Sequence, residues 1–246
     1  MKHFTLGLAA WLVAAWALTG CATYIPPGAK ADLQVFAPPS IQQGFEAKAV
    51  ATFPVTVAAV RVQAPGYSNY FLESNGGVFG SGRFSVVTAH EVEDQAQFDR
   101  LSALPKVAGL VSINRMLLPQ RLDSDLQIRE GASRLQADMV FLYTFDTAFF
   151  DTDVSKPLTV ITLGLSPTRR IAATTTVSAL LMDTRTGFIY AAFEATAKTE
   201  TIATSWGSRD TADQERRKTE KHAFGKLIEE VTSGWPRLLA RYEKPG

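Results

Sequence analysis

Cysteine occurs once in the 246 residues, at Cys21, so no intramolecular disulfide can form and stability has to come from a hydrophobic core. Histidine is almost as scarce. Beyond His3 there are only His90 and His222, with no thiol to join them, which is a poor basis for a zinc site of three or four ligands. An excess of charge is also missing: 25 Lys and Arg stand against 24 Asp and Glu, so nothing global draws the chain to nucleic acid or to an anionic surface. No Gly-x-Ser-x-Gly nucleophile elbow occurs. The glycine-rich stretch Gly76–Gly82 runs into the strand-like Phe84-Ser85-Val86-Val87-Thr88. It therefore lacks the following helix whose N-terminus would receive a phosphate, and it reads as a mobile loop or hairpin turn. Asp146, Asp151 and Asp153 lack the glycine and terminal glutamate of a calcium loop. These absences point to a protein that is not an enzyme, with no metal and no dissociable cofactor.

What is present begins at the N-terminus. Lys2 and His3 precede an almost wholly apolar run from Phe4 to Leu18, too short for a comfortable membrane span and ending in small residues, as a secretory leader does. Leu18-Thr19-Gly20-Cys21 follows directly and looks like a bacterial lipobox, with cleavage before Cys21 and N-acyl and S-diacylglycerol lipid, palmitate included, on Cys21. Residues 1–20 are then a lipoprotein signal peptide. Their removal costs only Lys2 among the charged side chains, leaving a neutral mature chain whose membrane affinity comes from lipid. Ala22 stands where lipoproteins retained in the inner membrane often carry Asp, so the expected site is the outer membrane, facing the periplasm. No other apolar run reaches transmembrane length.

From residue 21 to residue 52 the chain reads as an acylated cysteine and a proline-containing tether, broken at Pro26-Pro27-Gly28 and Pro38-Pro39. A flexible tether of this kind reaches about 30 Å. Leu33-Gln34-Val35-Phe36 could alternatively dock as a short edge strand. Residues 53–246 are expected to form a single α+β domain. Val55 to Val62 is nearly continuous in apolar, β-branched character, the pattern of a strand covered on both faces. Phe84–Thr88, Val107–Ile113 and Asp138–Asp146 are further strands. Glu93–Leu104 reads as a helix stopped by Pro105. A capping box at Ser124-Asp125-Leu126-Gln127 starts another helix with Ile128, Ala132 and Leu135 on one stripe. Ala173–Met182 and Phe188–Ala197 form a β-hairpin around Asp183-Thr184-Arg185-Thr186-Gly187, where Gly187 supplies the left-handed residue. A long helix over Asp213–Ser233 follows, with Phe224, Leu227, Ile228 and Val231 as its apolar stripe. Trp235-Pro236 is expected to kink it. The run Glu215 to Lys221, mixed in sign, reads as an exposed helix face. His90 falls at a strand end and His222 on the helix's polar side. The whole is a mixed β-sheet with helices packed on it, ending in a hairpin and a long amphipathic helix.

The strand near Val55, the helix ending in Gln136-Ala137-Asp138 before a buried strand, and the hairpin Leu180 to Gly187 followed by a long helix resemble one group of envelope lipoproteins. That group includes the curli-secretion lipoprotein, the N-terminal domain of the Tol-system propeller protein and lipoprotein activators of peptidoglycan synthases. The order of elements resembles the rhombotail lipoproteins most, although the Gly76–Gly82 loop departs from them. The resemblance implies an α+β envelope domain and carries no catalytic residue.

Three functions follow as expectations. The first is a lipid-anchored protein that binds an unknown envelope protein or itself. The second is a subunit of an outer-membrane secretion channel, for which Val154–Leu165 and Thr174–Met182 are the only candidate barrel strands, and neither alternates strictly. The third is an envelope hydrolase or glycan-binding protein. Phe149 and Phe150, beside the apolar stretch Leu158–Leu165, are either core or a contact surface, because adjacent strand residues face opposite ways. Arg169 and Arg170 could meet a polyanion.

Overall fold

The computed structural model describes residues 30–37, 40–153, 167–204 and 208–243. The lipobox residues Leu18, Thr19 and Gly20, the acylation residue Cys21, and the candidate barrel strand Val154–Leu165 with its apolar stretch Leu158–Leu165 lie outside these.

A seven-stranded mixed sheet forms the frame. Its central strand β1 (Val55–Gln63) is apolar and β-branched and nearly all of it is buried, as a strand covered on both faces must be. The first helix, α1 (Ile41–Glu46), precedes it and α2 (Tyr70–Asn75) follows it. Two two-residue strands come next, β2 (Val78–Phe79) and β3 (Ser81–Gly82), then β4 (Ser85–Val87). The middle of the chain adds α3 (Gln95–Ser102), β5 (Val107–Ser112), β6 (Arg121–Leu122) and α4 (Asp125–Arg134). The long strands β7 (Met139–Asp153), β8 (Pro167–Asp183) and β9 (Ile189–Thr204), and helix α5 (Ser208–Tyr242), follow. The strand order is β2-β4-β1-β7-β8-β9, with β5 also paired to β1. Strands β5 and β7 run parallel to β1, while β4 is antiparallel to β1, β8 to β7 and β9 to β8.

Local chemistry explains most of these elements. The expected capping box at Ser124 with Gln127 is formed, and a second one, not anticipated, closes the start of α3 at Asp94 with Gln97. Gly187 closes the β8–β9 turn at φ +72°, and its N–H returns to the Asp183 carbonyl. The stretch Gly76–Gly82 is no plain loop. Val78–Phe79 pairs with β4, and Ser81–Gly82 pairs with β6. Gly82 sits at φ +115°, and a Cβ there would lie 2.5 Å from the Leu122 carbonyl oxygen, so only glycine fits that crossing.

The sheet has a core on each face. On one, α3 and α5 cover Val57, Phe141, Tyr143, Phe145, Val177 and Leu181. The helix stripe Phe224, Leu227, Ile228 and Val231 is wholly or almost wholly buried there. On the other, α4 and the N-terminal segment cover Val60, Val140, Leu142 and Met182. Trp235 is buried and donates its indole N–H to the Pro105 carbonyl, and the helix runs on through Pro236 to Tyr242.

The N-terminal segment differs from the expected tether. Ala31, Val35 and Phe36 are buried, with the Phe36 ring 4.8 Å from Phe84. Leu33–Phe36 is a single 3-10 turn capped by Asp32, and not an edge strand. Further along, Val50 and Ala51 donate their N–H groups to Asp183 at 3.0 and 2.9 Å. The chain from Lys30 to Ala51 is thus tied to the domain at both ends, which moves the start of the folded part some twenty residues toward the N-terminus.

Candidate functional site

Among the described residues, a dense cluster of charged side chains lies where the front of α5 crosses β1 and the loop before α3. Arg61 projects from β1, Glu91 and Glu93 from that loop, and Asp213, Arg216 and Glu220 from α5. All six side chains are at most 1% exposed. Arg216 bonds Glu91 at 2.7 and 3.1 Å, Glu220 at 2.8 Å and Asp213 at 2.9 and 3.1 Å. Arg61 reaches Glu220 at 3.4 Å and Glu93 at 3.6 Å, and its guanidinium stacks over the Phe145 ring at 4.5 Å. Neutral donors finish the network. Tyr143 donates to Glu93 at 3.0 Å, Thr147 to Glu220 at 3.0 Å, and Asn69 to both Glu91 and Tyr67.

Four carboxylates thus face two sealed guanidiniums, with the half-buried Arg217 joining Asp213 from the rim. The titration of each group follows from this balance. Burial alone would lower the pKa of Arg61, but Tyr67, Glu93, Glu220 and Glu91 outweigh it and hold the pKa raised instead. Arg216 is held likewise, with Glu220 and Glu91 overcoming its burial. For Glu220 burial wins. Its pKa lies above the usual carboxylate range, with Arg216 and Arg61 pulling it back only in part. Tyr143 is pushed well up by burial and by Glu93, so it stays a donor.

The cluster is open to one small notch of about 100 Å³, lined by Arg61, Tyr143, Thr88, His90, Ser112 and Asn114. That volume suits about three waters. The Arg61 Nε and Nη1 atoms make no hydrogen bond within the protein. The ionised groups bond chiefly to one another across three elements, so the arrangement fastens α5 and the loop onto β1.

A second buried polar centre sits at the hairpin. Asp183, wholly buried, accepts from Tyr190, Val50, Ala51, Arg185 and Thr186. Burial would raise its pKa, but these donors, Tyr190 first, bring it below the ordinary value.

The third feature is a surface. Beyond the two cores, β7, β8 and β9 continue together, and the face turned away from α5 is solvated and polar. Asp146 and Ala148 are exposed on β7. Thr176 bonds Thr196 and Ser178 bonds Glu194 across β8 and β9, on the exposed side.

The residues singled out from sequence fall around this surface. Phe149 is half-buried and in register with Ala173, Phe150 is in register with Ala172, and Arg169 and Arg170 pair with Asp153 and Thr152. The stretch expected to be a connection after Asp146 is strand as far as Asp153, and the α5 stripe lies farther back, over Tyr143 and Phe145. His90 is exposed beside Phe98, and His222 is exposed on α5. Among the described residues no group of three or more His, Cys, Asp and Glu is placed to hold a metal, and no helix is long and apolar enough to cross a membrane.

The reading of Glu215–Lys221 as an exposed helix face is overturned. Arg216, Thr219 and Glu220 are fully buried, and Thr219 meets Thr199 of β9. The signal was the spacing. Asp213, Arg216, Glu220, Phe224, Leu227 and Val231 form one continuous helical stripe, charged at its front and apolar behind. Arg61 carried a signal too, since an arginine inside a doubly covered strand needs a buried partner.

No family model matches the chain, and no curated protein does. Among solved structures, a neuraminyllactose-binding hemagglutinin homolog from Helicobacter pylori is 12% identical, with 79% of this chain and 92% of that one covered at a TM-score of 0.35. A minor lipoprotein from Acinetobacter baumannii is 10% identical, with 80% and 99% covered at a TM-score of 0.33. At these scores the likeness carries no argument about activity, site or partner.

Proposed function

We propose that this protein is a non-enzymatic, lipid-anchored envelope protein, held in the outer membrane by acylated Cys21 and facing the periplasm, whose domain works by binding protein. The partner is another envelope protein or a second copy of the chain. The resemblance to the rhombotail lipoproteins belongs to the same reading. The observation that carries it is the exposed sheet face around Asp146, Glu194, Thr196 and Lys198 of β7 and β9. Three long strands carry this polar face, and among the described residues no strand pairs with the outer edge of β9, which offers a surface for another protein. The ionic cluster favours the same conclusion from the other side. Its acids and bases are spent largely on one another, behind a notch of about 100 Å³.

The channel alternative is disfavoured. Thr174–Met182 is paired on both sides, by β7 and β9, and Val177, Ala179, Leu181 and Met182 are core residues, so refolding it into a barrel would dismantle the domain.

Metabolic labelling with a palmitate analogue, followed by membrane fractionation, tests the anchor. Label on the wild-type protein and none on Cys21→Ser is the expected result. An unlabelled wild type, or a Cys21→Ser variant partitioning as wild type does, contradicts it.

A further inference from the structure

Strand β9 closes the sheet. Its inner edge pairs with β8 along almost its whole length, and among the described residues nothing pairs with its outer edge. A long exposed edge is a row of unpaired N–H and C=O groups that templates another strand. One side chain caps it: Lys226 of α5 donates to the Thr196 carbonyl at 2.9 Å. That contact also shows that Thr196 turns its backbone groups outward. In an antiparallel ladder the residues two apart, Glu194 and Lys198, do the same.

The charges along this edge are not self-repelling in every register. Ala192, Glu194, Thr196, Lys198 and Glu200 are all exposed and lie on one face. Lys198 makes no ion pair among the described residues, and the Glu194 carboxylate meets only the Ser178 hydroxyl. We propose that β9 pairs antiparallel with β9 of a second copy, in the register centred on Thr196. This rests on the reading that the domain acts by protein association, and it names the second copy as the partner. Thr196 then faces Thr196, exchanging both backbone bonds, and each Glu194 faces the Lys198 of the other copy. Neighbouring registers are worse. Centring on Ala197 sets Glu194 against Glu200, centring on Lys198 sets that lysine against itself, and centring on Ala195 pairs no charges. Centring on Thr199 opposes Lys198 and Glu200, but Glu200 is already engaged within its own chain. The result is a closed two-fold dimer with one continuous sheet. The Lys226 cap is exchanged for the Thr196 N–H of the second copy.

The experiment uses the full acylated protein in detergent. Thr196→Cys introduces the only free thiol, because Cys21 carries the lipid. Facing residues of a hydrogen-bonded antiparallel pair lie about 5.5 Å apart at Cα, within disulfide range. Mild oxidation is expected to give a covalent dimer from Thr196→Cys and none from Lys198→Cys, whose two copies are four residues out of register. Sedimentation is expected to show a dimer for the wild type and at least a tenfold weaker one for Glu194→Lys. Glu194→Lys combined with Lys198→Glu is expected to restore the dimer. Both sites are exposed, and unchanged thermal unfolding confirms that each variant folds.

A wild type that stays monomeric at every concentration overturns the inference, with Lys226 then acting as an edge guard. Equal crosslinking from Thr196→Cys and Lys198→Cys overturns the register. If the protein is monomeric but is trapped with one discrete envelope protein by crosslinking in intact cells, the dimer fails while the association reading stands. If nothing is trapped, both fail.

Discussion

Arg216 and Glu91 lie 125 residues apart in the chain, yet they meet through two hydrogen bonds of 2.7 and 3.1 Å with both side chains sealed from solvent. The pair fastens the front of the terminal helix to the loop that follows β4. Glu220 and Arg61 extend the bond to the central strand. A buried charge pair adds little over a well-packed apolar one, but breaking it by removing one partner leaves the other charge unpaired.

Arg216→Ala is therefore expected to destabilise the domain by about 3–5 kcal/mol, because Glu91, Asp213 and Glu220 all lose their main cation. Arg217→Ala, at the rim of the same cluster, is expected to cost about 1 kcal/mol or less. Urea unfolding of the two variants checks the contrast. Equal effects would mean that the cluster is not the lock described.

The hairpin clamp gives the acid sensitivity. The folded Asp183 has a pKa below the unfolded value of 3.8, so the ionised form is the one the fold prefers. Its contribution is fully present above that unfolded value and is lost as pH falls through the folded one. Asp183→Asn is expected to be less stable at neutral pH and to lose less on going to pH 3 than the wild type does. Thermal unfolding across that range is the measurement, and parallel curves would contradict it.

Gly187→Val is expected to cost at least about 1 kcal/mol, since φ +72° resists a β-branched side chain and a Cβ there would sit 3.2 Å from the Asp125 carboxylate. Gly187→Asn, which tolerates the left-handed region better, should cost less. Chemical denaturation of the pair gives the order, and the reverse order would refute the turn assignment.

Much of the fold was legible from local pattern. The apolar run at Val55–Val62, the capping box at Ser124, the Asp183–Gly187 turn and the Phe224–Val231 stripe each depend on residues close in sequence. What was misread depends on residues far apart. Glu215–Lys221 looked like a solvated face because its partners, Arg61, Glu91 and Thr199, are supplied by other elements. The segment from Lys30 to Ala51 has no periodicity to announce that it folds. It is held by contacts with residues distant in sequence, among them Ala31 to Thr144, Phe36 to Phe84 and Ala51 to Asp183, which only the tertiary structure provides. The strands β7 to β9 were read too short at one end, because their outer halves are polar on one face and β-propensity depends on the neighbouring strand.

The most direct test of the account is photocrosslinking in intact envelopes from probes at Ala148 and Lys198, on the solvated sheet face, with Gln95 on α3 as control. A discrete adduct is expected from the first two positions and none from the third. Equal labelling at all three, or no adduct at Ala148 and Lys198, would contradict the claim that this protein works through the end of its β7–β9 sheet.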